Sequence, residues 1–214
     1  MKRIDSIVEL LKGADTVLDI GTDHGLVLIE AIQKAYIKKG IGSDINQAPL
    51  NETQKHLTEL GLTDKITLIQ SDGFENIKAA YDVVVITGMG YKMMKQILSK
   101  PHQTPNYYVF SPHHELEELR AYLSNHGYEI IDEELVYEKK PYVLLKVIKR
   151  FKQLSQEEIV LGPILKTKKV AIPYYESKLN QKLSYVNHLD IVERKRVEKE
   201  INFYKDAIRN LSQT

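Results

Sequence analysis

The 214-residue chain contains no cysteine, so disulfide bonds and metal sites built on thiolates are excluded. It also has no run of roughly 18 uncharged apolar residues, the length that a membrane-spanning helix needs. The first residues, MKRIDSIVELLKG, carry acids among the apolar positions and differ from a secretory signal peptide. A composition of 43% hydrophobic and 28% charged residues is ordinary for a globular protein. We expect a cytoplasmic protein with no membrane partner.

The net charge of +1 hides an uneven distribution along the chain. Residues 151–214 contain 12 Lys and Arg against 8 Asp and Glu, whereas residues 1–150 contain 18 against 21. A basic tail after an acidic first part favours a polyanionic partner for the tail. A solvated helical surface would give the same charge pattern, so charge alone leaves both interpretations open.

Short β-rich runs alternate with segments of helical periodicity through residues 1–150. Strands are predicted at 16–20, 40–45, 65–70, 81–88 and 106–111. Helices are predicted at 26–36, 48–60 and 111–127. In the last of these, Ser111 is the expected N-cap and Pro112 the first helical residue. The alternation predicts an α/β domain with a doubly wound, mostly parallel sheet.

Two further strands are predicted within 128–150, on either side of Lys139-Lys140-Pro141. No helical pattern separates them, so we expect an antiparallel pair at one edge of the sheet. From residue 151 the apolar spacing is helical, which predicts a second domain at 151–214. We expect a short helix and then a hairpin or coiled coil that turns near residues 187–190. This order suits a Rossmann-like class I methyltransferase better than a dehydrogenase.

The stretch LDIGTDHG follows the first predicted strand, where open α/β sheets bind their ligands. Gly21 would let a ligand approach the backbone, beside Asp19 and Thr22. The stretch is not the G-x-G-x-x-G turn of dinucleotide sites, and the carboxylate of Asp23 would repel a pyrophosphate. Acids favour a ligand that carries positive charge, and S-adenosylmethionine has both an ammonium and a sulfonium group.

Acids also stand at the ends of the next two predicted strands. Asp44, followed by Ile45, lies where Rossmann-type sheets place an acid on ribose hydroxyls. In SDGF, Asp72 and Gly73 could face an adenine amino group, with the Phe74 ring packed on the base. Each acid alone could be a helix cap or a turn residue. Acids at three successive strand ends favour a cofactor site, completed by Gly88 and Met89 after the fourth strand.

The segments LDIGTDHG, SDI, QSDGF, ITGMG and LGPIL, together with the long helical hairpin, resemble those of the bacterial tRNA (adenine-22-N1)-methyltransferases. The resemblance extends over nearly the whole chain, and Arg3-Ile4 stands where the family has Arg-Leu. It implies methyl transfer from S-adenosylmethionine to N1 of an adenine on the D-arm side of tRNA. This sequence departs from the family at 25–28, which reads Gly-Leu-Val-Leu instead of Ala-Tyr-Leu-Pro. It also departs at Tyr91, where the family has glycine, and at 111–113, which reads Ser-Pro-His instead of a Gln-Pro or Gln-Ser step.

The resemblance also implies roles for individual residues. Asp23 would stabilise the charge that the adenine acquires, and His24 would orient Asp23, although a structural histidine is equally compatible with the sequence. The adenine must be extruded from its pair and held. Residues at the strand ends are available for this, with Arg3 nearby: Met89, Gly90, Tyr91 and His113. The motif [DN]-P-P-[YF] of amino-group methyltransferases is absent after the fourth strand, which disfavours an N6 target.

The basic tail would bind the tRNA backbone through Lys166, Lys168 and Lys169. We expect a monomer without a metal ion. Two other functions remain compatible with the sequence: a methyltransferase acting on a small molecule, and a catalytically silent RNA-binding module that retains the cofactor fold. Cofactor binding without turnover on any tRNA would distinguish the silent module. A dehydrogenase is a distant third, since the glycine pattern of a dinucleotide site is missing.

Overall fold

The computed structural model describes residues 3–213 and shows one seven-stranded sheet. The strands are β1 (Thr16–Ile20), β2 (Lys39–Asp44), β3 (Ile66–Gln70), β4 (Val83–Thr87), β5 (Tyr107–Ser111), β6 (Glu129–Tyr137) and β7 (Pro141–Ile148). Their spatial order is β3-β2-β1-β4-β5-β7-β6. The first five strands are parallel, and β7 pairs antiparallel with β5 and β6. The predicted parallel sheet with an antiparallel edge pair is confirmed.

Eight α-helices accompany the sheet within residues 3–213. They are α1 (Arg3–Glu9), α2 (Leu26–Gln33), α3 (Gln47–Leu60), α4 (Tyr91–Leu98), α5 (Leu116–Asn125), α6 (Gln156–Leu161), α7 (Ile172–Tyr185) and α8 (Ile191–Gln213). A 3-10 turn, Val186–His188, joins α7 to α8 and forms the predicted hairpin. None of the helices within residues 3–213 has the length and apolar character that a membrane crossing requires.

The apolar run of β4 has no polar residue from 83 to 86 because both faces of this strand are buried. Val83 and Val85 contribute to the core on one face of the sheet, and Val84 and Ile86 to the core on the other. All four side chains are buried, because helices cover both faces of this central strand. The carboxyl ends of β1, β2, β3 and β4 consequently meet at one edge, where the predicted ligand turns lie.

Helix α5 begins at Leu116, so the prediction of a start at Ser111–Pro112 is wrong. Ser111 is fully buried as the last residue of β5 and pairs with Thr87 of β4. The backbone N–H of His113 donates to the Met89 carbonyl at 3.0 Å, which holds residues 112–115 in a loop across the end of β4. A Ser-Pro step can cap a helix, but the pairing of β5 with β4 extends through Ser111.

The elements after residue 150 share a core with the sheet. Leu161, Leu165, Tyr175 and Tyr204 lie in the same apolar cluster as Leu145 of β7. The Tyr175 hydroxyl donates to the Leu161 carbonyl at 2.8 Å. The change from strands to helices falls near the predicted boundary at residue 150, and the base of the hairpin packs directly on the sheet domain.

A buried ion pair within the sheet domain also contacts the segment that follows residue 150. Arg120 of α5 is 1% exposed and Glu133 of β6 is 0% exposed, and Arg120 Nε donates to Glu133 Oε1 at 2.9 Å. Arg120 Nη1 also donates to the carbonyls of Ile159 and Val160, each at 3.1 Å. Both charges are therefore held by groups from the sheet and from the segment that follows it.

The motif LGPIL lies against this ion pair. The backbone N–H groups of Ile164 and Leu165 donate to Glu133 Oε2 at 2.9 and 2.8 Å. Gly162 has φ +97°, and a Cβ there would collide with Glu133 Oε2 and Arg120 Nη2. Glycine is required at position 162 because the backbone has a positive φ and because no room is left for a Cβ atom.

The distal part of the hairpin has a small core of its own, formed by Val186, Val197 and Ile201. Beside it, Lys182 Nζ lies 2.6 Å from Glu200 Oε2, with side-chain exposures of 13% and 7%. Pairing inside the hairpin therefore uses one lysine of the basic tail to hold α7 against α8.

Candidate active site

The turn after β1 is tied to the end of β2. The backbone N–H groups of Gly21 and Thr22 donate to the Ser43 carbonyl at 2.8 and 3.0 Å. Gly21 has φ +78°, and a Cβ there would lie 2.9 Å from Met89 Cε. Only glycine fits both the left-handed backbone and this approach. The turns after β1 and β4, predicted to share one ligand, are in contact.

One cleft, of about 170 Å³, opens between α1, the ends of β1 and β4, and the loop after β5. We call it the Asp19 cleft. It is lined by Arg3, Ile4, Ile7, Asp19, Gly21, Asp23, Leu26, Val27, Thr87, Gly88 and His113. Six of these residues were predicted from the sequence as catalytic or binding residues. The fold brings them together from four separate parts of the chain.

Two carboxylates of different character lie in the Asp19 cleft. Asp19 is 5% exposed, whereas the Asp23 side chain is 86% exposed. Burial, with a smaller contribution from the charge of Asp23, raises the pKa of the Asp19 carboxyl to about 6. A cation entering the cleft would stabilise the ionised form of Asp19 and lower this pKa. The cleft is therefore suited to a positively charged ligand.

His24 lies outside the lining of the Asp19 cleft, between two acids. Its Nε2 is 3.3 Å from Asp23 Oδ1, and its Nδ1 is 3.3 Å from Glu52 Oε2 of α3. The residue adopts φ +56°, which is uncommon for a residue with a side chain. The imidazole thus links the turn to α3 and lies next to Asp23, and its orienting role stays a prediction.

A second cleft, of about 240 Å³, lies on the other side of Gly21. We call it the Asp44 cleft. It is lined by Ile20, Gly21, Asp44, Ile45, Asn46, Ser71, Asp72, Gly73, Met89, Met93 and Ile97. Apolar side chains dominate the lining, and two acids stand at the ends of β2 and β3. An aromatic base with hydroxyl and amino groups at its rim fits such a surface.

Both acids of the Asp44 cleft are held in place. Asp44 Oδ1 accepts a hydrogen bond from the Asn46 backbone N–H at 2.8 Å. Asp72 Oδ2 lies 2.6 Å from Lys100 Nζ, which also contacts Glu75 Oε1 at 2.8 Å. Lys100 was not singled out in the sequence, because it follows Asp72 only after an intervening strand and helix.

Phe74 does not have its predicted position. Its ring is 5% exposed and stacks on His102, with ring centroids 4.0 Å apart. Gly73, at φ +61°, turns the chain so that the Phe74 side chain enters the core. This corrects the expectation that Phe74 packs on an adenine ring. The exposed apolar residues in the Asp44 cleft are Ile45 and Met93.

Two residues after β4 that were predicted to face the substrate contact other side chains. The Tyr91 ring packs edge-on against Tyr122 of α5, with centroids 6.2 Å apart. Gly90 faces the His114 imidazole so closely that a Cβ there would collide with the ring. Neither residue lines the Asp19 cleft. A side chain at position 90 would displace the exposed His114 ring.

Arg3 and His113 meet at the rim of the Asp19 cleft. Arg3 Nη1 lies 3.4 Å from His113 Nε2, and the guanidinium lies over the Tyr142 ring at 4.8 Å from its centroid. Burial and the charges of Arg3 and Lys140 lower the pKa of His113. Tyr142 was missed in the sequence, where its only signal is its place after the proline that begins β7.

The three lysines predicted to bind RNA differ in their surroundings. Lys168 Nζ lies 2.7 Å from Asp132 Oδ1 and donates to the Glu133 carbonyl, also at 2.7 Å. Lys166 Nζ lies 3.6 Å from Glu157 and 3.8 Å from Glu158. Lys169 is exposed. Lys166 and Lys168 therefore lie beside acids of the same chain, and their binding of tRNA stays a prediction.

Across residues 3–213, no group of three or more His, Cys, Asp and Glu side chains is arranged to hold a metal ion. The chemistry that the clefts offer is thus that of carboxylates, an Arg–His pair and tightly turned backbone at the ends of parallel strands. Such a site can bind a cation and a planar base, and can stabilise positive charge that develops on a second ligand.

Comparisons with known proteins agree with this geometry. Residues 1–145 match a family described as a methyltransferase domain. A Mycoplasma pneumoniae protein assigned to the tRNA methyltransferases is 30% identical over 198 residues, covering 87% of this chain and 92% of that protein. The Bacillus subtilis tRNA (adenine(22)-N(1))-methyltransferase is 26% identical over 199 residues, covering 88% of this chain and 83% of the relative.

A solved structure is similar over almost the full length. The TrmK protein of M. capricolum, crystallised with S-adenosyl-homocysteine, superposes with a TM-score of 0.85 at 27% sequence identity. The match covers 98% of this chain and 97% of that chain, so it includes the helical hairpin as well as the sheet.

Proposed function

This chain belongs to the bacterial tRNA (adenine-22-N1)-methyltransferases, which use S-adenosylmethionine, and from that membership we propose which of its residues perform the reaction. One observation carries the proposal. Asp19, Asp23 and His113 line one cleft, and Gly21 lines both this cleft and the Asp44 cleft. The site for the cofactor and the site for the target base therefore adjoin at the turn after β1.

The Asp44 cleft fits the adenosine half of the cofactor, and the part of the Asp19 cleft around Asp19 and Gly21 fits its amino-acid half, which leaves the part around Asp23 and His113 for the target base. Asp44 would accept hydrogen bonds from the ribose hydroxyls, and Asp72 from the adenine amino group. Ile45 and Met93 would cover the adenine ring. The buried carboxylate of Asp19 would face the positively charged amino-acid half. When bound, S-adenosylmethionine supplies an electrophilic methyl group on a sulfonium.

Removing the carboxylate of Asp44 should weaken cofactor binding. We expect Asp44→Ala to raise the dissociation constant of S-adenosylmethionine by about tenfold to a hundredfold, the loss of one or two hydrogen bonds to a charged group. Isothermal titration would measure it. Asp64→Ala removes an exposed acid outside the cleft and is the matched control. Equal affinities for the Asp44→Ala variant and the wild type would remove Asp44 from the cofactor site.

Cofactor affinity should also depend on pH through Asp19. Because the pKa of Asp19 is raised to about 6, the free protein binds a proton below that pH. A cationic ligand prefers the carboxylate, so affinity should be constant above pH 6 and fall by about tenfold per unit below it. Titrations between pH 5 and 8 would show the bend. Asp19→Asn should bind more weakly and lose the bend, and a bend that persists in this variant would assign it to another group.

At the target base, the residues of this chain stabilise charge and do not act as a strong base. The N1 lone pair of neutral adenine is already nucleophilic, and the ring becomes positive as the methyl group is transferred. Asp23, exposed at the rim of the Asp19 cleft, would accept a hydrogen bond from the exocyclic amine and stabilise that charge. His24 would hold the Asp23 carboxylate toward the base.

Arg3 and His113 would position the extruded nucleotide from the opposite side of the Asp19 cleft. Their contact with Tyr142 fixes their direction, because the ring lies beneath the guanidinium. Thr87-Gly88-Met89-Gly90 presents backbone and a thioether at the end of β4, without the carboxylate or amide and prolines that amino-group methyltransferases place there. This composition supports transfer to a ring nitrogen.

We propose that the enzyme works as a monomer on cytoplasmic tRNA. Size-exclusion chromatography with light scattering would measure its mass in solution.

A product assay tests the proposed function directly. The purified protein is incubated with labelled S-adenosylmethionine and an unmodified tRNA transcript, and the digested nucleosides are identified by mass spectrometry. We expect 1-methyladenosine, and its loss when adenine 22 of the transcript is replaced by guanine. Confirmed cofactor binding without label in any tRNA would overturn the proposal and favour a small-molecule substrate or a silent binding module.

A further inference from the structure

A third cleft, of about 250 Å³, lies beside the Asp19 cleft, between the loop after β5, the turn joining β6 to β7 and the start of α7. We call it the Tyr142 cleft. Its polar lining includes His113, His114, Lys140, Tyr142, Tyr174 and Lys178. His113 lines both clefts, so the Tyr142 cleft continues from the proposed target-base site toward the base of the helical hairpin.

The side-chain cations of the Tyr142 cleft form no ion pair with a carboxylate of residues 3–213, although Glu138 Oε1 accepts a hydrogen bond from the backbone N–H of Arg3 at 2.7 Å. Within residues 3–213, no carboxylate lies within 4.0 Å of the Lys140 or Lys178 ammonium or of the Arg3 guanidinium, which stands at the boundary of the two clefts. These groups lie on aromatic rings instead: Lys140 Nζ is 5.3 Å from the Tyr142 centroid and Lys178 Nζ is 5.7 Å from that of Tyr174. The acid in the lining, Glu115, is paired with His114 at 3.0 Å.

His113 lies beside these cations. Burial lowers its pKa, and the charges of Arg3, Lys140 and His114 lower it further. Arg3 and Lys140 thus place positive charge beside His113, where a bound anion would be stabilised. Lys166 and Lys168, in contrast, already have carboxylate partners.

We propose that the Tyr142 cleft binds the phosphate backbone of the tRNA strand beside the target adenine, through Arg3, Lys140 and Lys178. This inference rests on the proposed function, because it takes tRNA as the polyanion. Phosphate contact is favoured over base stacking, since Arg3 and Lys140 already lie on the Tyr142 ring. A phosphate held here would direct the neighbouring nucleotide past His113 into the Asp19 cleft. The cleft therefore aligns the strand, whereas Lys166 and Lys168, which lie beside acids of the same chain, contribute less than their charge alone indicates.

The test measures tRNA affinity against salt concentration. The double variant Lys140→Gln, Lys178→Gln is compared with Lys12→Gln, Lys65→Gln, which removes the same charge from exposed lysines near the amino-terminal ends of β1 and β3. Each lost phosphate contact reduces the slope of log affinity against log salt by about 1. We expect a reduction of about 2 in the cleft variant, with the KM for tRNA raised by about tenfold or more. Its cofactor affinity and its kcat at saturating tRNA should match those of the wild type.

A salt slope equal to that of the wild type would overturn the proposal, as would an equal reduction in the Lys12, Lys65 variant. These outcomes are separable from failure of the proposed function. A wild-type protein that binds tRNA with a steep salt slope but forms no 1-methyladenosine would contradict the proposed reaction, and the slopes of the variants would still decide the role of the cleft. A wild-type protein without affinity for tRNA would overturn both.

Discussion

Asp23→Ala is expected to lower the single-turnover rate of methyl transfer to tRNA by about 100-fold, which is the loss typical of removing one group that stabilises transition-state charge. The affinity for S-adenosylmethionine should stay within about threefold of the wild type, because Asp23 is exposed and its charge adds little to that of the buried Asp19. Quenched-flow measurement with enzyme in excess over tRNA gives the rate, and titration gives the affinity.

Asp23→Asn separates the two contributions of this side chain. The amide keeps an oxygen that can accept from the adenine amine but removes the negative charge, so its rate should lie between those of the alanine variant and the wild type. A full single-turnover rate in Asp23→Ala would contradict the catalytic role. A loss of rate with an equal loss of cofactor affinity would assign Asp23 to the cofactor site instead.

Arg120→Ala is expected to lower the free energy of unfolding by about 3–5 kcal/mol, since it leaves the fully buried carboxylate of Glu133 without its cation. It also removes the donor to the Ile159 and Val160 carbonyls. Urea unfolding followed by circular dichroism would measure the loss. Because the ion pair joins α5 and β6 to the segment after the sheet, both parts should unfold in one transition.

An exposed ion pair of the same chemistry provides the control. Arg209 and Asp206 of α8 lie 2.5 Å apart, with side-chain exposures of 66% and 57%. Arg209→Ala should cost less than about 1 kcal/mol, because water screens the pair. If Arg120→Ala cost no more than this control, the buried pair would have no structural role.

The ligand turns could be predicted because the information that places them is local. A strand pattern fixes where the chain reaches the carboxyl edge of a parallel sheet, and Asp19, Asp44 and Asp72 stand directly at those ends. Parallel strands bring their carboxyl ends together, so the adjacency of the two clefts follows from the order of strands and helices. The antiparallel pair was predictable for a similar reason, since no helical pattern separates its two strands.

The errors, and the pairing of Lys168 that the sequence did not indicate, concern contacts between distant parts of the chain. Lys168 is paired with Asp132, 36 residues earlier, and no spacing rule indicates such a partner. Phe74 follows a glycine turn like those that bind ligands, but its ring has an apolar neighbour in the core and stacks on His102. The Ser111-Pro112 step has the residues of a helix start, and strand pairing with Thr87 outweighs them. In each case a tertiary contact determines the position of the residue, and the local sequence pattern contains no information about that contact.

The hydrogen bonds of Glu133 have a consequence for synthesis on the ribosome. The donors to its Oε2, Ile164 and Leu165, follow it by 31 and 32 residues. A nascent chain that has emerged only through β7 has a sheet edge whose buried glutamate lacks these two N–H groups. The edge strand β6 therefore reaches its final packing only after the LGPIL segment has left the exit tunnel. All seven strands are translated before this segment, but the sheet is complete only once the segment has packed against it.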